Sequence, residues 1–142
     1  KEWNKEDKIL CKSFNKNVKD YFQYIYKFSP RGEDNNTVFG DGIRNFRDRG
    51  YLMRSYEKSD GYFHWHNDFS LDKQYGFRML TLIWYLNDVE EGGETEFVDG
   101  TIVKPKTGQV LIFPTSWYMA HRGKMPISNK KYIITSWLYG YQ

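Results

Sequence analysis

The chain has 142 residues, enough for one domain with a substantial core, and its single cysteine, Cys11, cannot form an internal disulfide. The net charge of +3 comes from lysines scattered among acidic residues, so it argues only weakly for a nucleic-acid-binding protein. No apolar run approaches the ~18 residues of a membrane span, and no signal-peptide pattern is present, so we expect no membrane partner and a cytoplasmic location.

The first predicted element is an amphipathic helix over residues 5–28. Its apolar residues recur every three or four positions, at Leu10, Phe14, Val18, Phe22 and Ile25. Asn4 and Asp7 resemble a capping box at its start, and residues 32–36 have the composition of a loop. We expect this helix to support the rest of the domain.

Beyond residue 48 the pattern changes to short β-rich runs separated by Gly, Pro, Asn and Asp. The candidate strands are 50–56, 61–66, 77–86, 94–98, 101–104, 108–113, 117–121 and 131–138. Eight short strands, together with an aromatic content of 19%, predict a mainly β sandwich or barrel. The chain is therefore predicted to be a single domain, 1–142, with a β core at about 48–139.

The run 77–86 is predicted to be a central strand because both of its faces are largely apolar. Strict alternation assigns its residues to two faces, Met79, Thr81, Ile83 and Tyr85 on one and Arg78, Leu80, Leu82, Trp84 and Leu86 on the other. Such a strand would lie between the barrel interior and a covering helix.

A candidate metal site is formed by His66, Asp68 and the distant His121. Side chains two residues apart on a strand point to the same side, so His66 and Asp68 can reach one ion. Two imidazoles and one carboxylate can bind one face of an octahedral metal and leave the other face open, as non-haem Fe(II) oxygenases require. The alternative is a hydrogen-bonded pair at a sheet edge. His64 is expected on the same face as His66, lining the cleft or solvated.

Lys131 is a candidate anion-binding residue. Alternation places Lys131, Ile133, Thr135 and Trp137 on one face of the last strand, so an ammonium group enters an otherwise apolar cleft. A buried ammonium needs a counter-anion, and a dicarboxylate cosubstrate would supply it. The alternative is a surface lysine at a turn.

These residues belong to a longer ordered set of motifs. The set comprises His66-x-Asp68, Trp84-Tyr85-Leu86-Asn87-Asp88, Gly92-Gly93-Glu94-Thr95-Glu96-Phe97, Leu111-Ile112-Phe113-Pro114, His121 and Lys131 to Trp137. Over residues 50–138 it resembles the prolyl 4-hydroxylase-like Fe(II)/2-oxoglutarate dioxygenases. The resemblance implies a double-stranded β-helix, or jelly roll, with iron at the mouth of the barrel.

The resemblance also implies a role for individual residues. His66, Asp68 and His121 become iron ligands, and Lys131 becomes the partner of the distal carboxylate of 2-oxoglutarate. Tyr56 and Tyr85 match positions that line or hydrogen-bond the cosubstrate pocket, and Thr95 and Trp137 complete its walls. The carboxylates of Glu94 and Glu96 are assigned no metal role.

The function that the resemblance implies is hydroxylation of a prolyl residue in a peptide or protein. The reaction would use Fe(II), 2-oxoglutarate and O2, with ascorbate as a further candidate, and would release succinate and CO2. Two alternatives remain. One is a nucleic-acid demethylase of the same chemistry, because a set of arginines interleaved with aromatic residues could bind a backbone phosphate or an acidic peptide, although we favour a solvated turn between helix and barrel: Arg44, Phe46, Arg47, Arg49, Tyr51 and Arg54. The other is a non-catalytic, metal-binding jelly-roll module.

Overall fold

A computed structural model describes residues 3–27 and 45–141, which form one helix and two β-sheets. Helix α1 spans Asn4–Tyr26. The strands are β1 (Asn45–Arg47), β2 (Leu52–Tyr56), β3 (Phe63–His66), β4 (Leu71–Asp72), β5 (Gly76–Tyr85), β6 (Thr95–Phe97), β7 (Ile102–Val103), β8 (Val110–Pro114), β9 (His121–Gly123) and β10 (Lys131–Tyr141). A short 3-10 helix, Trp117–Met119, precedes β9.

The two sheets are antiparallel throughout. In the larger sheet, β10 pairs with β5 on one side and with β1 and β2 on the other, and β5 also pairs with β8 and β4. The smaller sheet has the order β3-β9-β6-β7. An apolar cluster joins them: Ile83, Tyr85, Phe97, Phe113 and Ile133. The sheets therefore face each other, which confirms the predicted jelly roll with an N-terminal helix.

Helix α1 covers the outer face of the larger sheet, as predicted. Phe14 is 2% exposed and stacks on Trp84 with ring centroids 6.5 Å apart, and Trp84 Nε1 donates a hydrogen bond to Ser13 Oγ at 2.9 Å. The predicted capping box is wrong, because Trp3 is the N-cap and no side chain caps the helix. Residue 28 and the predicted loop at 32–36 lie outside the described residues. In the described part of the chain, no helix is long and apolar enough to cross a membrane.

Most predicted strands are present with shorter bounds, but the strand predicted at 117–121 is wrong. Residues 117–119 form the 3-10 helix, and the strand begins at His121. Trp117 and Tyr118 are 77% and 75% exposed, so the apolar pattern there does not reflect a buried face. The short strands β1 and β4 were not predicted; β1 pairs with β10, and β4 forms a hairpin with β5.

A β-bulge in β5 changes the predicted faces at one end of that strand. Leu80 pairs with Leu138, whereas Arg78 pairs with Tyr139, so Met79 is the extra residue. Met79 packs toward the helix-side core, and Arg78 lies over the Trp137 ring, 4.0 Å from its centroid. The alternation predicted for 80–85 is confirmed, and the faces predicted for residues 78 and 79 are wrong.

Candidate metal centre and the adjoining pocket

Two histidines and one aspartate meet where β3 pairs with β9. His66 ends β3 and lies directly opposite His121, the first residue of β9. The carboxylate of Asp68 lies beside both, with Oδ1 3.4 Å from His66 Nε2 and Oδ2 3.9 Å from His121 Nε2. The three potential ligand atoms lie within 4.8 Å of one another, a spacing that one metal ion can bridge. Among residues 3–27 and 45–141, no other group of three His, Cys, Asp or Glu side chains has its potential ligand atoms this close together.

Backbone carbonyls orient both imidazoles. His66 Nδ1 lies 2.8 Å from the carbonyl oxygen of His64, and His121 Nδ1 lies 3.0 Å from that of Met119. A carbonyl only accepts hydrogen bonds, so each neutral ring carries its proton on Nδ1 and presents the lone pair of Nε2 to the cluster. A hydrogen bond of this kind fixes the tautomer and ring orientation of metal-binding histidines.

Asp68 is kept ionised although it is 8% exposed. Burial raises the pKa of its carboxyl, but a hydrogen bond from His66 Nε2 when that ring is protonated, a hydrogen bond from Thr81 and the proximity of His121 and Trp137 lower the pKa to about 2. Thr81 donates from Oγ1 to Oδ2 at 2.7 Å. The Trp137 indole makes no hydrogen bond of good geometry, although it is close enough to favour the charged carboxylate. The site therefore presents an anionic oxygen at neutral pH.

The two histidines differ in electrostatic environment. Burial lowers the pKa of His121, and the carbonyl of Met119 and the charge of Asp68 offset only part of that effect. Burial also lowers the pKa of His66, but hydrogen bonds with Asp68 and the His64 carbonyl outweigh it and raise the pKa overall. At neutral pH His121 is held in the uncharged form that a metal requires.

A second bulge, in β3, separates His64 from this cluster. Phe63 pairs with Gly123 and His66 pairs with His121. Two residues of β3 therefore lie between these pairs where β9 has only one, so β3 contains one extra residue. Phe63 and His66 consequently share the inner face, whereas exposed His64 stacks edge-on against Tyr62 at 4.8 Å. The expectation that His64 shares a face with His66 is wrong.

Lys131 lies deep in the same cleft and is 3% exposed. Its Nζ donates a hydrogen bond to the Gly93 carbonyl at 2.6 Å and lies 5.4 Å and 5.5 Å from the ring centroids of Tyr56 and Tyr85. Burial lowers the pKa of Lys131 to about 8, with only partial compensation from the charge of Glu94. No carboxylate in the described part of the chain forms an ion pair with it. Lys131 is therefore a buried ammonium that lacks a counter-anion.

Of the other predicted pocket residues, three line the same cleft as this lysine, and Tyr85 lies beside Lys131 without lining the cleft itself. Tyr85 Oη and Thr95 Oγ1 share a hydrogen bond of 2.7 Å, and both side chains are buried. Burial raises the pKa of Tyr85 to about 12, so the phenol is neutral and can donate. Tyr56, Thr95 and Trp137 line the cleft together with the triad and Lys131.

Three polar residues in or beside the cleft, Thr81, Thr135 and Arg54, were given no role in the site by the sequence analysis. Thr81 positions Asp68, Thr135 Oγ1 is buried without a hydrogen-bond partner, and Arg54 lines the cleft. The signal for Thr81 and Thr135 was present, because alternation places them on the inward faces of β5 and β10. Thr135 Oγ1 and Trp137 Nε1 are thus two buried polar atoms in the wall of this cleft that have no hydrogen-bond partner.

The arginines before the barrel have different surroundings. Arg54 points into the cleft, whereas Arg49 lies over the ring of Tyr75. Arg44 and the side chain of Phe46 lie outside the described residues.

The acidic residues near β6 are largely buried and form ion pairs with partly exposed basic residues. Glu94 pairs with Lys124 at 3.5 Å and Glu96 pairs with Arg122 at 2.6 Å. Neither glutamate belongs to the metal cluster.

Comparisons with known proteins agree with this geometry. Residues 51–139 match the family described as the 2OG-Fe(II) oxygenase superfamily. A curated relative, the probable prolyl 4-hydroxylase 3 of Arabidopsis thaliana, is 32% identical over an alignment covering 52% of this chain and 37% of that protein. The chain thus spans little more than a third of the length of this relative.

Solved structures of prolyl hydroxylases are also similar to this chain. The viral collagen prolyl hydroxylase of Paramecium Bursaria Chlorella virus-1, in complex with 2OG, is 26% identical with a TM-score of 0.59, covering 68% of this chain and 61% of that one. A prolyl 4-hydroxylase from Phytophthora capsici is 28% identical with a TM-score of 0.53, covering 63% and 32%. A truncated form of the viral enzyme, at 21% identity, covers 93% of this chain with a TM-score of 0.65 and supports the fold.

Proposed function

This chain belongs to the 2OG-Fe(II) oxygenase superfamily, and on that premise we propose that it hydroxylates a prolyl residue of a peptide or protein. The reaction would consume O2 and 2-oxoglutarate and release succinate and CO2. The observation that carries the proposal is Lys131: an almost fully buried ammonium without a carboxylate partner, in the same cleft as two histidines and an aspartate.

The residues present suit both the metal and the cosubstrate. His66, Asp68 and His121 would hold Fe(II) through three ligands, which leaves coordination positions open on the other side. Lys131 would bind the distal carboxylate of 2-oxoglutarate. The unsatisfied Thr135 Oγ1 and Trp137 Nε1 lie in the same wall and would find partners in a polar ligand.

When bound, iron and cosubstrate would supply the oxidation that converts a substrate C–H bond to C–OH while 2-oxoglutarate becomes succinate and CO2. The protein's part is to position and insulate the reactants. Thr81 holds the Asp68 carboxylate in place, and the carbonyls of His64 and Met119 hold the imidazoles. The neutral Tyr85 phenol, oriented by Thr95, would be a donor at the deep end of the cleft.

The prolyl substrate is supported by the relatives, which are described as prolyl hydroxylases from a plant, a virus and an oomycete. The inward position of Arg54 gives less support to a nucleic-acid demethylase, because it removes one cation from the basic surface that such a function would use. A cytoplasmic location and a requirement for ascorbate stay predictions.

The first test is spectroscopic. We expect the anaerobic protein with Fe(II) and 2-oxoglutarate to show a metal-to-ligand charge-transfer band. Absence of the band from protein that demonstrably holds iron would contradict the assignment of 2-oxoglutarate as cosubstrate. Succinate release across proline-rich peptides, free amino acids and methylated oligonucleotides then identifies the substrate class, and a non-catalytic module would release none with any of them.

The second test uses the triad. Asp68→Ala should abolish succinate release while the far-ultraviolet circular dichroism spectrum stays that of the wild type, since Asp68 follows β3 rather than forming part of a strand. Asn67→Ala, at the neighbouring exposed position, is the matched control and should stay active. Turnover by Asp68→Ala would show that the metal ligands are misassigned.

A further inference from the structure

A second cation, Arg54, enters the cleft that holds the candidate metal centre. It pairs with Ile133 across β2 and β10, and both side chains line the cleft with the triad. Arg54 and Tyr56 are the half-buried residues of β2, whereas the residues between and beside them are exposed. Arg54 therefore belongs to the inward face of the strand.

Arg54 has no anionic partner in the described residues. By contrast, Arg122 pairs with Glu96, Lys124 with Glu94 and Lys130 with Glu57. The Arg54 guanidinium lies over the ring of Phe63, 5.0 Å from its centroid. Burial raises the pKa of Tyr56, and the charge of Arg54 together with a hydrogen bond from its guanidinium partly offsets that rise, so one edge of the guanidinium faces the Tyr56 hydroxyl. The remaining edge donors can match a carboxylate bidentately.

The position of Arg54 along the cleft differs from that of Lys131. Lys131 lies opposite Tyr56, and Arg54 is two residues farther along β2, a distance of ~6–7 Å. The Phe63 ring beneath Arg54 also contacts His66, with centroids 4.5 Å apart. Arg54 therefore lies on the side of the metal centre, and Lys131 lies at the far end between two tyrosines.

This spacing suits a five-carbon dicarboxylate. The terminal carbons of 2-oxoglutarate are joined by four bonds of ~1.5 Å, so an extended molecule can reach a cation at each end of the cleft. A single cation leaves the second carboxylate to the metal alone. Two cations at this separation give the cleft a charge pattern that matches the whole ligand.

We propose that Arg54 binds the carboxylate next to the keto group of 2-oxoglutarate, while Lys131 binds the distal one. This inference rests on the proposed function and adds a positioning residue to it. Arg54 would orient the cosubstrate at the metal centre, and it would select 2-oxo acids independently of the group that Lys131 recognises.

The test measures binding rather than turnover. Calorimetric titration of Mn(II)-loaded protein would use 2-oxoglutarate and 2-oxopentanoate, which has the same chain length but lacks the distal carboxylate. We expect Arg54→Gln to weaken both ligands by roughly tenfold to a hundredfold, the range for a hydrogen bond to a charged group. Lys131→Gln should weaken 2-oxoglutarate and leave 2-oxopentanoate unchanged. Arg54→Lys should restore part of the affinity.

The control is Lys104→Gln, which removes one positive charge at an exposed position outside the cleft and should bind both ligands like the wild type. Wild-type affinity of Arg54→Gln for both ligands would overturn the inference and leave Arg54 as a packing partner of Phe63. An effect on 2-oxoglutarate alone would overturn it in favour of a shared distal site. Wild-type protein that binds Mn(II) but neither ligand would instead contradict the proposed function.

Discussion

Replacing Lys131 with methionine should stabilise the ligand-free protein and abolish tight cosubstrate binding. Lys131 is buried with one hydrogen bond and no carboxylate partner, and burial lowers its pKa from 10.5 to about 8. At 1.36 kcal/mol for each pKa unit, holding this ammonium in the folded state at pH 7 costs on the order of 3 kcal/mol. Methionine has a similar shape and removes the charge, although the Gly93 carbonyl loses its donor, which costs about 1–2 kcal/mol. The expected net gain in stability is about 1–2 kcal/mol.

The sign of the pH dependence follows from the same values. Between pH 8 and 10.5 the unfolded chain binds the Lys131 proton and the folded protein does not, so Lys131 makes the wild type more stable as the pH rises. The cost of the ammonium falls to about 1 kcal/mol at pH 10, and the advantage of Lys131→Met over the wild type should disappear there.

Urea unfolding of the metal-free wild type and of Lys131→Met at pH 7 and pH 10 measures the stability gain at pH 7 and its disappearance at pH 10. The matched control is Lys130→Met, which removes the same charge from the neighbouring residue that pairs with Glu57 at the surface. Lys130→Met should not increase the free energy of unfolding. A loss of stability in Lys131→Met at pH 7 would refute the reasoning, because it would make Lys131 a structural residue rather than an anion site awaiting its ligand.

Three further predictions concern the surroundings of the site. Thr81→Val removes the donor to Asp68 and should weaken Fe(II) binding about tenfold to a hundredfold in a competitive metal titration, and unchanged affinity would deny Thr81 a positioning role. Iron affinity should fall as the pH drops from 8 to 6, because the pKa of His66 is raised whereas Asp68 stays ionised, and a flat profile would contradict histidine ligation. Gly92→Ala should destabilise the protein by about 1–3 kcal/mol in thermal unfolding, because Gly92 has φ +72° and its Cβ would meet the Met125 carbonyl; wild-type stability would show that the loop yields there.

Sequence reasoning located the site because its chemistry follows simple rules. The inward face of β10 was readable from alternation alone, and Lys131, Ile133, Thr135 and Trp137 all line the cleft. Helix α1 was predicted from apolar residues that recur every three or four positions. The residue roles and the single-domain organisation stay predictions.

The errors occurred where a backbone irregularity broke the alternation. One extra residue in β3 moves His64 out of the cleft, and one in β5 exchanges the sides of Arg78 and Met79. Neither bulge contains a glycine or proline that could have marked it in the sequence. The 3-10 helix at Trp117–Met119 was missed for a related reason, because exposed aromatic residues imitate the pattern of a buried strand.

Arg54 shows a different limit. Its place in a run of arginines suggested a basic surface, although alternation in the predicted strand 50–56 puts Arg54 on the same face as Tyr56, and the pairing of β2 with β10 shows what that face lies against. Strand pairing between distant segments is decided by tertiary contacts, which local sequence patterns do not report.

The way the imidazoles are held has a consequence for how such a site can diversify. His66 and His121 are each oriented by a carbonyl two positions earlier in the chain, at His64 and Met119, so the supporting hydrogen bonds come from peptide groups. Every amino acid carries that carbonyl. These two hydrogen bonds therefore do not depend on which side chains occupy positions 64 and 119, although the Met119 side chain also packs against the apolar cluster between the sheets. A substitution at position 64 would therefore leave the carbonyl that orients His66 in place, whereas one at position 119 would be limited by packing rather than by the metal centre.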